Sequence, residues 1–245
     1  MQSVNILEHH QWTPLEVLGL THSFFSLNKD TIIFTWVALG IILILSVLGR
    51  WFLRYPDTVP GYIAGSVIRA FRGMIYQSLD CFVYRYFAFI AVLFIFIAVC
   101  NIIMVLPGVE EPTKDLNTTL ALGIISFLYA QKEGIRAHGL MGYIKEYFQP
   151  IFIMFPLEVM GKLATVVSLS FRLFGNIFGG SIIASLWNNV ASSSILWQII
   201  GIPIPLLINL FFGLFEGFIQ AFVFSILSLT YLAMAIRHEE EEIHV

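Results

Sequence analysis

From Pro150 to Ile236 the only formally charged side chains are Glu158, Lys162, Arg172 and Glu216, spread through runs of Phe, Ile, Leu and Val. Two stretches of this region, Pro156 to Trp187 and Pro203 to Ile236, would be ~48 and ~51 Å long as helices at 1.5 Å per residue. Both outrun a hydrocarbon core of ~30 Å. A backbone in hydrocarbon must satisfy its own N–H and C=O groups, and helices do so within one segment. The excess length adds a second constraint. Such helices keep their apolar surface covered only by tilting far beyond the usual ~20°, so the two stretches predict a strongly inclined, antiparallel helical hairpin.

The rest of the chain follows the same rule. Hydrophobic residues make up 58% of the 245 and charged residues 12%, which excludes an ordinary soluble domain. The expected fold class is an all-α polytopic membrane protein. About five membrane-crossing helices are expected, near residues 31–53, 86–106, 116–134, 151–187 and 195–236. The third is the weakest, apolar only from Leu116 to Tyr129. Residues 31–236 form one membrane domain, preceded by a non-membrane segment 1–30 and followed by an acidic tail 237–245. The N-terminal segment lacks the basic start and apolar core of a cleaved signal. Between the first two spans, Ile63, Val67, Ile68, Phe71, Ile75 and Leu79 alternate with Arg69, Arg72 and Gln77, the pattern of an amphipathic helix in the interface. Gly139 to Phe148 reads as a second, shorter one. Cys81 and Cys100, with helix between them, would stand ~28 Å apart, too far for a disulfide. A net charge of −3 with no basic stripe gives no footing for nucleic acid.

Basic residues in short loops set orientation. The first connection carries Arg50, Arg54, Arg69, Arg72 and Arg85, and the third carries Lys132, Arg136 and Lys145; both are expected in the cytoplasm. The second, with Glu110, Glu111 and Asp115 against Lys114, and the uncharged fourth, Asn188 to Ser194, are expected outside. Five crossings then leave the N-terminus outside and the tail Glu239 to Glu242 in the cytoplasm.

Arg172 sits within Ser168-Leu-Ser-Phe-Arg-Leu-Phe-Gly-Asn176. A guanidinium at the bilayer centre costs between ~2.5 and ~17 kcal/mol depending on assay and local water, and it cannot lose its proton. Snorkelling to a headgroup is the alternative, but Arg172 lies deep in its segment. Helical spacing puts Thr165, Ser168, Arg172, Gly175, Asn176, Gly179 and Gly180 near one face. Glycines alone would read as close helix packing. Small residues around a fixed charge suit a surface against which another helix slides. Glu158 falls ~40° from Arg172 around the axis and ~21 Å away along it, and Lys162, one turn from Glu158, would pair with it. On the last segment Gly213, Glu216, Gly217 and Gln220 share a face at helical spacing.

The arginine motif, with Ile219-Gln-Ala-Phe-Val-Phe224, Ser228-Leu-Thr-Tyr231 and Glu110-Glu-Pro-Thr-Lys-Asp-Leu-Asn-Thr-Thr119, closely resembles subunit a of F-type ATP synthases. The resemblance runs from about Arg85 to Tyr231. It implies the ion-translocating stator of a rotary membrane motor, with two offset half-channels and a fixed arginine facing the carboxylates of a rotating c-subunit ring. Arg172 matches that arginine, Asn176 the motif asparagine and Gln220 the glutamine of the last helix. Glu158 matches a polar position of the inner half-channel. Ser168, Gly175, Gly179 and Gly180 would be the small surface towards the ring. Many family members carry an ionisable residue where this chain has Ser181 or Gly213, and Glu216, one turn from Gly213, is the natural substitute. The implied partners are the c-ring, peripheral-stalk b subunits, other F-type ATP synthase subunits and membrane lipid, in a bacterial inner (plasma) membrane. The ion is expected to be the proton, with sodium the alternative. The chain would perform no bond chemistry itself. It shows no nucleotide-binding loop, metal cluster or nucleophile triad, and no cofactor is expected; His9, His10, His22, His138, His238 and His244 fall outside the spans. A secondary transporter would show paired repeats with broken midplane helices, which are not apparent. A structural scaffold would account for the glycines but not for Arg172.

Overall fold

The computed structural model describes residues 11–12, 27–103, 111–146, 154–191 and 203–236. The acidic tail, Glu110, the ends of the expected spans at 104–106, 151–153 and 195–202, residues 147 and 148, and the end of the fourth connection lie outside the described residues, as does most of the segment 1–30. A two-residue antiparallel ladder pairs Gln11–Trp12 with Leu27–Asn28. All the longer elements are helices: α1 (Lys29–Phe52), α2 (Val59–Leu79), α3 (Tyr84–Ile103), α4 (Leu116–Glu146), α5 (Met154–Ala191), α6 (Pro203–Asn209) and α7 (Gly217–Ile236). A π-helical segment, Leu210–Glu216, joins α6 to α7 without a break.

Local chemistry sets the ends of these helices. The Thr58 hydroxyl caps α2 by accepting from the Gly61 amide, and Asp80 closes α2 in the left-handed region at φ 54°. The Asp115 carboxylate accepts from the Asn117 amide at 2.9 Å and starts α4. Gly139 takes φ 73° and ψ 160°, so α4 kinks there and continues as a short separate run. This is the start of the short second helix expected from Gly139. The α2 helix fulfils the first amphipathic pattern in part: Phe71, Ile75 and Leu79 pack against α3 and α7, while Ile63 and Val67 stay exposed.

Contacts between elements order the bundle along its length. Ala38 near the start of α1 packs with Val99, Cys100 and Ile103 at the end of α3. The end of α3 also meets a 3-10 turn, Pro112–Lys114, through Asn101 and Thr113, while its start meets Tyr129 and Glu133 of α4. The same α4 runs beside α7, with the Ser126 hydroxyl donating to that of Ser228 at 2.7 Å and Gly134 against Ala235. Against α5 it is antiparallel, since Gly123 meets Val166 and Ser170 whereas Gln131 shares a cleft with Glu158. Thus α1, α3, α4, α5 and the α6–α7 unit each traverse the bundle, in alternating directions. The two free cysteines stay apart, Cys81 exposed and Cys100 buried.

Among the described residues, four helices are long and apolar enough to cross a membrane: Lys29–Phe52, Tyr84–Ile103, Phe155–Trp187 and Ile204–Ile236. The third expected span, 116–134, is the exception by composition. It traverses the bundle nonetheless, and its polar groups are tolerated because α4 lies between α5 and α7 and hides Thr119, Ser126, Ala130 and Glu133. The chain is a multi-pass membrane protein. Phe155–Trp187 and Ile204–Ile236 have 33 residues each, about 50 Å of helix, so covering them within a ~30 Å core requires a tilt of roughly 50°.

Candidate functional site

The buried stripe of α5 is Val166, Leu169, Ser170, Leu173, Ile177 and Gly180, which packs on α3, α4 and α7. With that stripe fixed inward, the 100° step per residue turns Arg172 to the side. Its guanidinium is exposed in the isolated chain, midway along α5, and has no hydrogen-bond or ion-pair partner among the described residues. Around it the surface is stripped of bulk. Ser168 and Gly175 are exposed, Gly179 is half-exposed, and a Cβ built on Gly161, Gly175 or Gly179 would meet nothing within 4 Å. Gly180 belongs elsewhere: its Cβ would stand 2.9 Å from Cγ of Phe212, so it is a packing glycine of the hairpin and not part of the open face. Asn176 is half-buried between the two surfaces, with its Nδ2 enclosed and unbonded among the described residues.

The Gly180–Phe212 contact also sets relative heights on the antiparallel hairpin. Four residues down α5 and four along the partner bring Asn176 to about the level of Glu216. A further four bring Arg172 to about that of Gln220. Glu216 and Gln220 are both half-buried, and Gln220 Nε2 donates to Glu216 Oε1 at 3.3 Å. The glycines expected on their face part from them. Gly213 and Gly217 are buried: the π winding of Leu210–Glu216 widens the angle between Gly213 and Glu216, and Gly217 stands a full 100° step round from Glu216. Gly217 instead admits Asn101 of α3: a Cβ there would lie 2.6 Å from that of Asn101, whose Nδ2 donates to the Gly217 carbonyl at 2.9 Å.

Glu158 and Lys162 pair at 3.2 Å, as their one-turn spacing predicts. They line a cleft of about 290 Å³ between α4, α5 and α7, together with Ser126, Gln131, Tyr143 and Thr165. The Tyr143 hydroxyl donates to Gln131, and the Lys162 ammonium lies 5.4 Å from the centre of the Tyr143 ring. Along α5 the cleft runs from Glu158 to Leu169, and so stops one turn short of Arg172. Its Glu158 end lies towards the end of the bundle that holds Glu133, a fully enclosed carboxylate bound by Arg85 at 3.2 Å, Arg136 at 3.0 Å and the Tyr86 hydroxyl.

Asn101, Thr113 and Glu133 carry buried polar structure that sequence reasoning did not single out. A signal existed for Asn101, a lone amide inside the apolar run of α3. For Glu133 the local signal is only the one-turn pair with Arg136, while Arg85 and Tyr86, which enclose it, come from α3.

The family model for the ATP synthase A chain matches residues 32–233. The chain is 33% identical over 229 residues to ATP synthase subunit a 2 of Acaryochloris marina, covering 91% of this chain and 92% of that one. It is 36% identical over 204 residues to ATP synthase subunit a of Moorella thermoacetica (83% and 89%), and 41% identical over 157 residues to subunit a 1 of Chlorobaculum parvum (64% and 65%).

Proposed function

This chain belongs to the ATP synthase A chain family, and from that premise we propose that it is the ion-translocating stator subunit of a rotary ATP synthase. One observation carries the reading: Arg172 stands midway along a membrane span, exposed and unpaired among the described residues, on a face of glycine and serine. A permanent cation in that position is costly unless a partner supplies the countercharge. A ring of c subunits bearing ionisable carboxylates fits that need, and the small side chains let successive ring helices pass. Each deprotonated carboxylate is drawn to Arg172 and released on reprotonation.

Two half-channels lead to Arg172 from opposite sides. The cleft holding Glu158, Lys162, Gln131 and Thr165 is the inner one. Asn176 and Glu216, one turn beyond Arg172, and Gln220, level with it, form the outer one. The end of the bundle rich in arginine faces the cytoplasm, which leaves the N-terminus outside and the C-terminus inside a bacterial plasma membrane. The ion is the proton, and its transmembrane potential is worth ~2.3 kcal/mol per charge per 100 mV. The chain itself makes and breaks no bonds. Peripheral-stalk b subunits and the other synthase subunits complete the assembly.

Substituting Arg172→Lys keeps the charge but loses the planar, weakly hydrated fork. Ion-driven ATP synthesis in membrane vesicles is expected to fall to a small fraction of the wild-type rate, with the complex assembled. Near-normal synthesis would refute the role given to Arg172.

A further inference from the structure

A π-helical segment inserts one extra residue into an otherwise regular helix, so every side chain beyond it is turned by about 100° relative to an unbroken helix. In this chain the insertion lies at Leu210–Glu216, and Glu216 and Gln220 sit at its end and just past it. Where the π winding stops therefore decides which way both side chains point.

The junction is held from outside. At Gly217 the backbone N–H is shared between the carbonyls of Phe212 and Leu214, and the Gly217 carbonyl accepts the Asn101 amide at 2.9 Å. Asn101 is 1% exposed, and its own Oδ1 accepts from the Thr113 hydroxyl, itself fully buried, at 3.4 Å. A buried amide with both ends satisfied is favourable, and one left unsatisfied is costly. The register that presents the Gly217 carbonyl to Asn101 is therefore selected over its neighbours. Any side chain at position 217 would exclude Asn101.

We propose that Asn101, oriented by Thr113, is a positioning residue: by holding the Gly217 carbonyl it fixes where the π winding ends and so aims Glu216 and Gln220. The inference rests on the reading of those two residues as part of the outer half-channel. Leucine fills a similar volume and has no donor, so Asn101→Leu frees the junction to move.

The test uses the assembled membrane sector in vesicles, with Cys81→Ser and Cys100→Ala to remove the native thiols. Single cysteine substitutions from Leu214→Cys to Gln220→Cys, with Gly217 left unchanged, are labelled with a hydrophilic thiol reagent, with and without Asn101→Leu. The expected result is a labelling maximum displaced by one residue, with lowered passive proton conductance of the Asn101→Leu sector. A loss of general packing would broaden labelling without moving its maximum. An unmoved maximum in the assembled variant overturns the proposal, whatever the conductance does. A displaced maximum with undiminished conductance reduces Asn101 to a structural latch and overturns its role in the path. Should Asn101→Leu fail to assemble, Asn101→Ala, which cannot overpack, is read by the same criteria. Unchanged conductance in Glu216→Gln beside a displaced maximum would instead remove Glu216 from the half-channel and leave the positioning of the junction standing.

Discussion

Glu216 is the only carboxylate on the α6–α7 unit, half-buried and hydrogen-bonded to Gln220 one turn on. The Gln220 amide can donate to an ionised carboxylate or accept from a protonated one, so the pair tolerates both states of a group that passes protons. Glutamine at position 216 keeps shape and hydrogen bonding and removes the exchangeable proton. Passive proton conductance through the assembled sector is expected to fall roughly a hundredfold in Glu216→Gln, the low side of what a positioned proton carrier contributes, with normal assembly. Unchanged conductance would move the outer path elsewhere. Arg172 and Glu216 were legible from the sequence because a charge in hydrocarbon stands out against its neighbours. Asn101 stands out in the same way, but what it does is not legible, since the group that gives it meaning lies 116 residues away in the chain. Gly213, Gly217 and Gly180 were misassigned in facing for a related reason: a glycine records a close approach, and the sequence does not say to what.

The α4 helix shows how a segment too polar for lipid still traverses the bundle. Its faces against α5 and α7 carry Gly123, Ser126, Ala130 and Gly134, small residues that bring three backbones together. A Cβ on Gly134 would come within 2.8 Å of both the Ala235 carbonyl and Cε2 of Tyr143. One of these is backbone and cannot swing away. Gly134→Val is therefore expected to cost about 1–3 kcal/mol through overpacking, measured as a lower unfolding temperature of the detergent-solubilised protein; the exposed helix site Gly40 is open around its Cβ and serves as the control. An equal shift at both positions would put the effect in helix propensity and not in packing. Apolar periodicity located α1, α3, α5 and the last helix to within a few residues, and it underrated α4 because burial by protein substitutes for burial by lipid. The π segment was beyond its reach altogether, since winding of that kind is selected by tertiary contacts such as the one at Gly217.

The five traversals sort the charges. Arg50, Arg54, Arg69, Arg72, Arg85, Lys132 and Arg136 gather near one end of the bundle with Glu158 and Lys162, whereas Asp30, Glu111 and Asp115 lie near the other with Lys29 and Lys114. A membrane protein inserts with its basic end in the cytoplasm. The cleft at that end extends towards Arg172, with Glu158, Lys162, Gln131, Tyr143, Ser126 and Thr165 among its lining, while Asn176 and Glu216 lie one turn beyond Arg172 along the hairpin. On the proposed reading the two routes approach a single cation from opposite faces of the bilayer without meeting, and an ion would pass by riding the partner ring between them. This arrangement predicts sidedness. With the native thiols removed, Glu158→Cys is expected to react with a membrane-impermeant thiol reagent added from the cytoplasmic side and to be protected from one added outside. Half of its side chain is exposed in the isolated chain even beside Lys162. Labelling from the outside alone would invert the orientation of the whole bundle, and labelling from neither side would close the cleft and leave Glu158 and Lys162 as a structural ion pair.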